Sequence, residues 1–171
     1  MKKLGIILVL ILFVNICVSA QIQRHFFDFT LGVTTQKEVV KYFKNLGKKP
    51  YKDKNGNQFV NNIKFGGHIW SFAAFSFYND KLSRVYFADN DTDTPSQTLD
   101  IVWDTLQKNI IDKYSDYYLE SMSKDDYKVY GDHQTVVVLK YDTFDGTKEL
   151  SLMYDDRRLS KKEIEDSSNE L

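Results

Sequence analysis

Phe29-Thr30-Leu31-Gly32-Val33-Thr34-Thr35-Gln36-Lys37-Glu38-Val39-Val40, continuing through Lys41-Tyr42-Phe43-Lys44-Asn45-Leu46-Gly47 to Pro50, decides how the chain is read. Glu38 lies three residues beyond Thr35, the spacing of a capping box in which each residue's side chain satisfies the other's backbone N–H. Val39, Phe43 and Leu46 follow at intervals of four and three, with Val40 beside them, which predicts an amphipathic helix over about 36–46. Gly47 supplies its stop signal.

Downstream of this helix the pattern changes to strands. Residues 48–58 are polar and contain the turn pair Asn55-Gly56. Alternation over 59–65 predicts a strand that Gly66-Gly67 turns. Over 69–78 both faces are apolar, with Ile69, Ala73, Phe75 and Phe77 on one and Trp70, Phe72, Ala74 and Tyr78 on the other. A strand with one wet face alternates more cleanly, so this one is either covered on both sides or presents a sticky surface. Asn79-Asp80-Lys81 turns again, and 82–88 makes a third strand with Val85 and Phe87 in the core phase. Upstream, His25-Phe26-Phe27-Asp28-Phe29 offers an edge strand or simply packs down.

The second half repeats the order. Thr94-Pro95-Ser96-Gln97 reads as a cap, a proline at the first helical position and a glutamine at the capping-box position. Leu99, Val102, Trp103, Leu106 and Ile110 then define a helix running to about Tyr114. A polar, tyrosine-bearing connection over 115–126 leads to strands at 127–130, 135–141 and 148–154, the last two joined through Asp145-Gly146. The charged tail, 160–171, is expected to be disordered. The fold class is therefore α+β: two helix-plus-three-strand (αβββ) units, residues 21–93 and 94–159, forming antiparallel sheet with the helices packed on one face.

Residues 1–20 read as a signal peptide. Lys2 and Lys3 precede an apolar run from Leu4, and Val18-Ser19-Ala20 provides small residues for cleavage after Ala20. The run is shorter than the ~20 residues of a spanning helix, so retention as an anchor is the second choice. Lipidation at Cys17 is the third, because Asn15 and Ile16 sit where a lipobox wants small residues. Cleavage removes Cys17, the single cysteine in 171 residues, and with it any disulfide or thiolate chemistry.

An exported chain without disulfides must rely on its core, and 12 Phe, 11 Tyr and 2 Trp supply large rings that each bury on the order of 150–250 Å². The 23 basic and 24 acidic residues nearly balance, and loss of Lys2 and Lys3 tips the balance to the acidic side. With no basic excess or cluster, nucleic acid is not an expected partner.

The run Leu31 to Val39 resembles the opening motif of SmpA/OmlA-type domains and of the β-lactamase inhibitor protein (BLIP-like) fold. Gly47 and Pro50 stand roughly where those families close the helix. Phe75-Ser76-Phe77-Tyr78-Asn79-Asp80-Lys81-Leu82-Ser83-Arg84-Val85 is similar to their aromatic strand, polar turn and returning strand. The likeness covers about residues 29–87, and over the second unit it rests on element order. It implies a periplasmic or secreted binding module that inhibits an enzyme or scaffolds envelope assembly, and it brings no catalytic residues.

The residues themselves favour binding over chemistry. His25, His68 and His133 lie far apart without ligand partners at metal-site spacing. Asp89, Asp91 and Asp93 alternate like the start of a calcium loop, but Thr94 and Pro95 occupy positions that need a glycine and a free backbone ligand. They read instead as an acidic cluster ahead of a helix N-terminus. No nucleophile elbow or phosphate loop occurs, and Asp125-Asp126 and Asp155-Asp156 are adjacent pairs with no paired-carboxylate geometry behind them. No cofactor is expected.

The candidate binding residues are Trp70, Phe72, Tyr78, Arg84 and Tyr86, an aromatic cluster with an arginine such as interface centres carry. Val136, Val138, Lys140 and Met153 occupy the corresponding phase of the second unit. A protein partner in the envelope or outside the cell is the leading expectation. A small molecule or glycan in a groove of the same aromatics is the second, and a hydrolase of unknown class the third. Membrane association is expected only if the signal segment is retained or lipidated.

Overall fold

The computed structural model describes residues 21–168 except 91, 93 and 94. The expected signal segment, the cap residue Thr94, and Asp91 and Asp93 of the acidic loop lie outside the described residues.

Among the described residues the chain is α+β, with a seven-stranded antiparallel sheet, a two-stranded sheet and three helices. In chain order these are β1 (His25–Phe26), β2 (Phe29–Thr30), α1 (Gln36–Asn45), β3 (Tyr51–Lys52), β4 (Gln58–Phe65), β5 (His68–Tyr78) and β6 (Lys81–Asn90). After them come α2 (Ser96–Tyr114), β7 (Tyr127–Gly131), β8 (Thr135–Phe144), β9 (Thr147–Asp156) and α3 (Arg157–Ser168). The large sheet runs β3-β4-β5-β6-β9-β8-β7. Its middle is the antiparallel pairing of β6 with β9, from Arg84 opposite Asp155 to Asn90 opposite Glu149.

Local chemistry accounts for the first helix. Thr35 N donates to Glu38 Oε2 at 2.8 Å, and Glu38 N donates to Thr35 Oγ1 at 3.4 Å, an arrangement worth about 1 kcal/mol. Val39 and Phe43 are buried, whereas Leu46 stands at the C-cap and is 59% exposed, because the helix stops before it can turn that side chain inward. Gly47 follows at φ +72°. Gly32 in the opening motif is required twice over. Its φ is +79°, and a Cβ there would lie 2.7 Å from Asp156 Oδ2.

Both α1 and α2 pack on one face of the sheet. Val39 and Phe43 from α1, and Leu99, Leu106, Ile110 and Tyr114 from α2, join Phe75, Phe87, Leu139 and Leu152 in one core. The β1–β2 hairpin closes the core at one end through Phe26 and Phe29, where the sequence suggested either an edge strand or a segment that packs down. Ile22 is already buried, and its N–H bonds Asp132 Oδ2 at 3.1 Å. Helix α2 starts at Ser96 with Pro95 as N-cap (φ −52°, ψ 137°) and no side-chain cap bond. The proline therefore stands one position earlier than the sequence suggested.

Three expectations are corrected. The sheet has seven strands where six were expected, because the turn around Asn55-Gly56 is long enough to fold Tyr51 and Lys52 back onto Phe59 and Gln58. The tail expected to be disordered over 160–171 is helical to Ser168, and residues 169–171 lie outside the described residues. Its low apolar content pointed to disorder, and its one isoleucine, Ile164, is 67% exposed. The helix is started instead by Asp156 at the end of β9, whose Oδ1 accepts from Arg158 N and Leu159 N.

The third correction concerns Trp70, which was placed on the face opposite the core. In β4, Asn62 takes φ +55°, and the ladder with β5 passes from Asn61–Phe72 to Ile63–Trp70. Core positions on either side of this point are three residues apart, Val60 and Ile63 in β4, Trp70 and Ala73 in β5. Strict alternation would need an even number. The slip turns Trp70 inward, where it is fully buried, and leaves Ile69 61% exposed. Its ring lies 5.7 Å from that of Phe87, and its Nε1 donates to Phe65 O at 3.1 Å.

Candidate functional site

With Trp70 in the core, four of the five candidate residues share the face opposite α1 and α2. Register places Phe72 opposite Ala88, Ala74 opposite Tyr86, Ser76 opposite Arg84, and Tyr78 opposite Lys81. The sheet brings further aromatics to them that the sequence reading missed. Tyr51 stacks on Phe59 with centroids 5.4 Å apart, Phe59 lies 5.8 Å from Phe72, and Phe72 lies 6.2 Å from Tyr86.

Met153 pairs with Tyr86 across the centre and Val138 pairs with Met153, so the row continues into the other half of the sheet. Met153, Val138, Val136 and Lys140, which share this phase in the sequence, share it in the sheet as well. Phe59 could have been found from the Asn55-Gly56 hairpin, which sets it across from Tyr51.

Polar groups frame this row. Arg84 Nε donates to Asp155 Oδ1 at 2.8 Å, with the arginine side chain 39% exposed. Tyr86 Oη donates to Glu149 Oε1 at 2.8 Å, and burial pushes its phenol up to about 12, with Glu149 adding to the rise. Tyr78 sits apart at the end of β5, where its hydroxyl donates to Asp166 of α3, and that bond raises its phenol. Helix α3 thus runs from the end of β9 to the end of β5 and marks one margin of the aromatic row.

The chemistry-bearing residues of the sequence fall elsewhere. Asp89 is turned into the protein, where its Oδ2 lies 2.9 Å from His68 Nε2 and its Oδ1 accepts from Ser71 Oγ at 2.6 Å. Serine, aspartate and histidine meet here, but the carboxylate stands between the other two. The hydroxyl donates to the carboxylate, not to the imidazole, which is not the order that activates a nucleophile. Among the described residues no three His, Cys, Asp or Glu side chains converge as a metal site.

The second buried carboxylate, Asp156, is structural. Arg24 Nη2 donates to its Oδ2 at 2.5 Å and Arg158 Nη2 at 3.3 Å. Burial alone would raise its carboxyl, but Arg24, Arg158 and the Leu159 N–H together hold it below the ordinary value.

No family model, curated protein or solved structure matches this chain. What the site can do therefore rests on its own geometry. The half-buried rings of Phe59, Phe72 and Tyr86, with Tyr51 exposed at the end and paired charges at the border, offer apolar contact area.

Proposed function

We propose that the chain is an exported, BLIP-like protein-binding module that holds its partner on the aromatic sheet face, with Phe72, Arg84 and Tyr86 at the centre and Tyr78 at the margin. The observation that carries this reading is the continuous row Tyr51, Phe59, Phe72, Tyr86 on the face away from α1 and α2. Aromatic side chains with an arginine are the composition of interface hot spots. The rings also support one another, so little side-chain freedom is lost when a partner settles on them.

The element order supports a two-unit origin. One meander, β4-β5-β6, follows α1, another, β7-β8-β9, follows α2, and the last strand of each joins its counterpart at the sheet centre. On this reading the chain begins near Gln21 and works in the periplasm or outside the cell, as an inhibitor or an envelope-assembly factor.

The test is retention of an envelope or culture-supernatant protein by immobilised residues 21–171, with Phe72→Ala/Tyr86→Ala in parallel. The expected result is one specific protein held by the wild type and lost by a double variant that keeps its thermal midpoint. Equal retention by both, or none by either, overturns the reading.

A further inference from the structure

We propose that α3 is a hinged strap over one end of the uncovered sheet face: its first turn stays fixed at Asp156, while the helix beyond Leu159 leaves the sheet without unfolding the core and exposes Tyr78. What the strap is for rests on the binding-face reading; that it opens does not.

The two ends of α3 are held very differently. At its start Asp156 is fully buried, its Oδ1 accepts from Arg158 N and Leu159 N, and Arg157 N donates to Gln134 O at 2.9 Å. Beyond that turn the helix lies against β9 and β5, yet none of its 12 residues is buried. Ser167 Oγ and Ser168 Oγ donate to carbonyls of their own helix, those of Glu163 and Ile164. Past Leu159, among the described residues, the hydrogen bond from Tyr78 to Asp166 is the one that ties α3 to the sheet.

The residues of α3 also work against the helix. Arg157 and Arg158 stand in the first turn, where the macrodipole is positive, and Glu165 and Asp166 in the last, where it is negative. Each end therefore carries the charge that its dipole disfavours. The exposed Lys161–Glu165 pair, 3.6 Å apart, runs in the weaker order, lysine before glutamate. A helix of this length is marginal when it stands alone. With one fixed end, no buried side chain and one far tether, α3 belongs to the part of a fold that opens locally, at less cost than global unfolding. A partner that reaches Tyr78 has to displace Asp166 first, so the strap competes with it at the margin of the aromatic row.

Hydrogen exchange on the purified protein, followed amide by amide by NMR at neutral pH in low urea, reads the opening alone. Amides of residues 162–168 are expected to exchange on the order of a hundredfold faster than those of β6 and β9, at a rate that low urea does not change. Tyr78→Phe is expected to speed them by a further factor of about five to ten and to leave β6 and β9 unaltered. In Asp166→Ala, O-acetylation of Tyr78 by N-acetylimidazole, mapped by peptide mass, is expected to run about fivefold faster than in the wild type. Exchange of α3 in step with the core, exchange in the wild type as fast as in an unstructured peptide, no response to Tyr78→Phe, or unchanged acetylation would each overturn the strap. The retention test reads the sheet face separately, so either proposal can fail while the other stands.

Discussion

The two faces of the seven-stranded sheet are made from the same kinds of residue and do different work. Phe75, Phe87, Leu152 and Trp70 face the helices and are excluded from water, while Phe72, Tyr86, Phe59 and Met153 point the other way and are half-buried. Ring content does not distinguish them. Coverage does, and coverage was set by α1 and α2, whose apolar stripes can satisfy only one side. An aromatic residue's role is therefore decided by the parity of its strand position, and a single slip in parity reassigns it.

Trp70→Ala gives the largest effect and the sharpest break of this comparison. Truncating a fully buried ring whose Nε1 donates to Phe65 O leaves a cavity and removes that hydrogen bond. The expected loss is about 3–5 kcal/mol by urea unfolding. An unchanged midpoint would return Trp70 to the exposed face and undo the parity slip.

Asp156→Ala comes next. It removes the carboxylate that pairs with Arg24 and starts α3, and stranding a buried guanidinium costs about 3 kcal/mol or more. The same group sets a pH dependence. Its folded pKa lies below the unfolded value, so its contribution is complete above about 4 and lost as pH falls through the folded value. Wild-type stability is expected to decline on acidification more steeply than that of the variant. Parallel acid profiles would show the pair to be energetically silent.

Asn62→Val tests the slip itself. A β-branched residue is strained at positive φ by about 1–2 kcal/mol, whereas asparagine tolerates it. A loss of that size, measured by denaturant midpoint, ties the geometry of β4 to the residue that permits it. A neutral or stabilising result would mean that ordinary extended backbone serves there.

Much of this was legible in the sequence. The Thr35–Glu38 box, the turns at Gly66-Gly67 and Asp145-Gly146, and the helix carrying Leu99 to Ile110 are local signals, and local energetics decide them. Phe72, Tyr78, Arg84 and Tyr86 lie on one sheet face, as alternation implies, because one strand pairing relates them. The misplacement of Trp70 has a different cause. Alternation was carried through Ser71 as though the strand were regular, and nothing in His68-Ile69-Trp70-Ser71-Phe72 marks a break. The break is announced in the neighbouring strand, at Asn62, and takes effect only on pairing. Helix α3 escaped for the related reason that its start is capped by a carboxylate buried by Arg24, far away in the chain.

The smallest effect is expected on the uncovered face, and it is the one that separates a surface built for binding from a core position. Tyr86→Phe removes a hydroxyl bonded to Glu149 while keeping the ring in the row. At neutral pH its stability should change by less than about 1 kcal/mol. The difference should emerge in alkali. The folded phenol titrates near 12 against about 10 when unfolded, so its contribution is intact below 10 and drains away between 10 and 12 as the unfolded chain ionises first. The variant should therefore lose less stability than the wild type across that window. If it loses as much, Tyr86 is not held out of water by its neighbours, and the aromatic row is a set of independent side chains, not a joined surface ready to receive a partner.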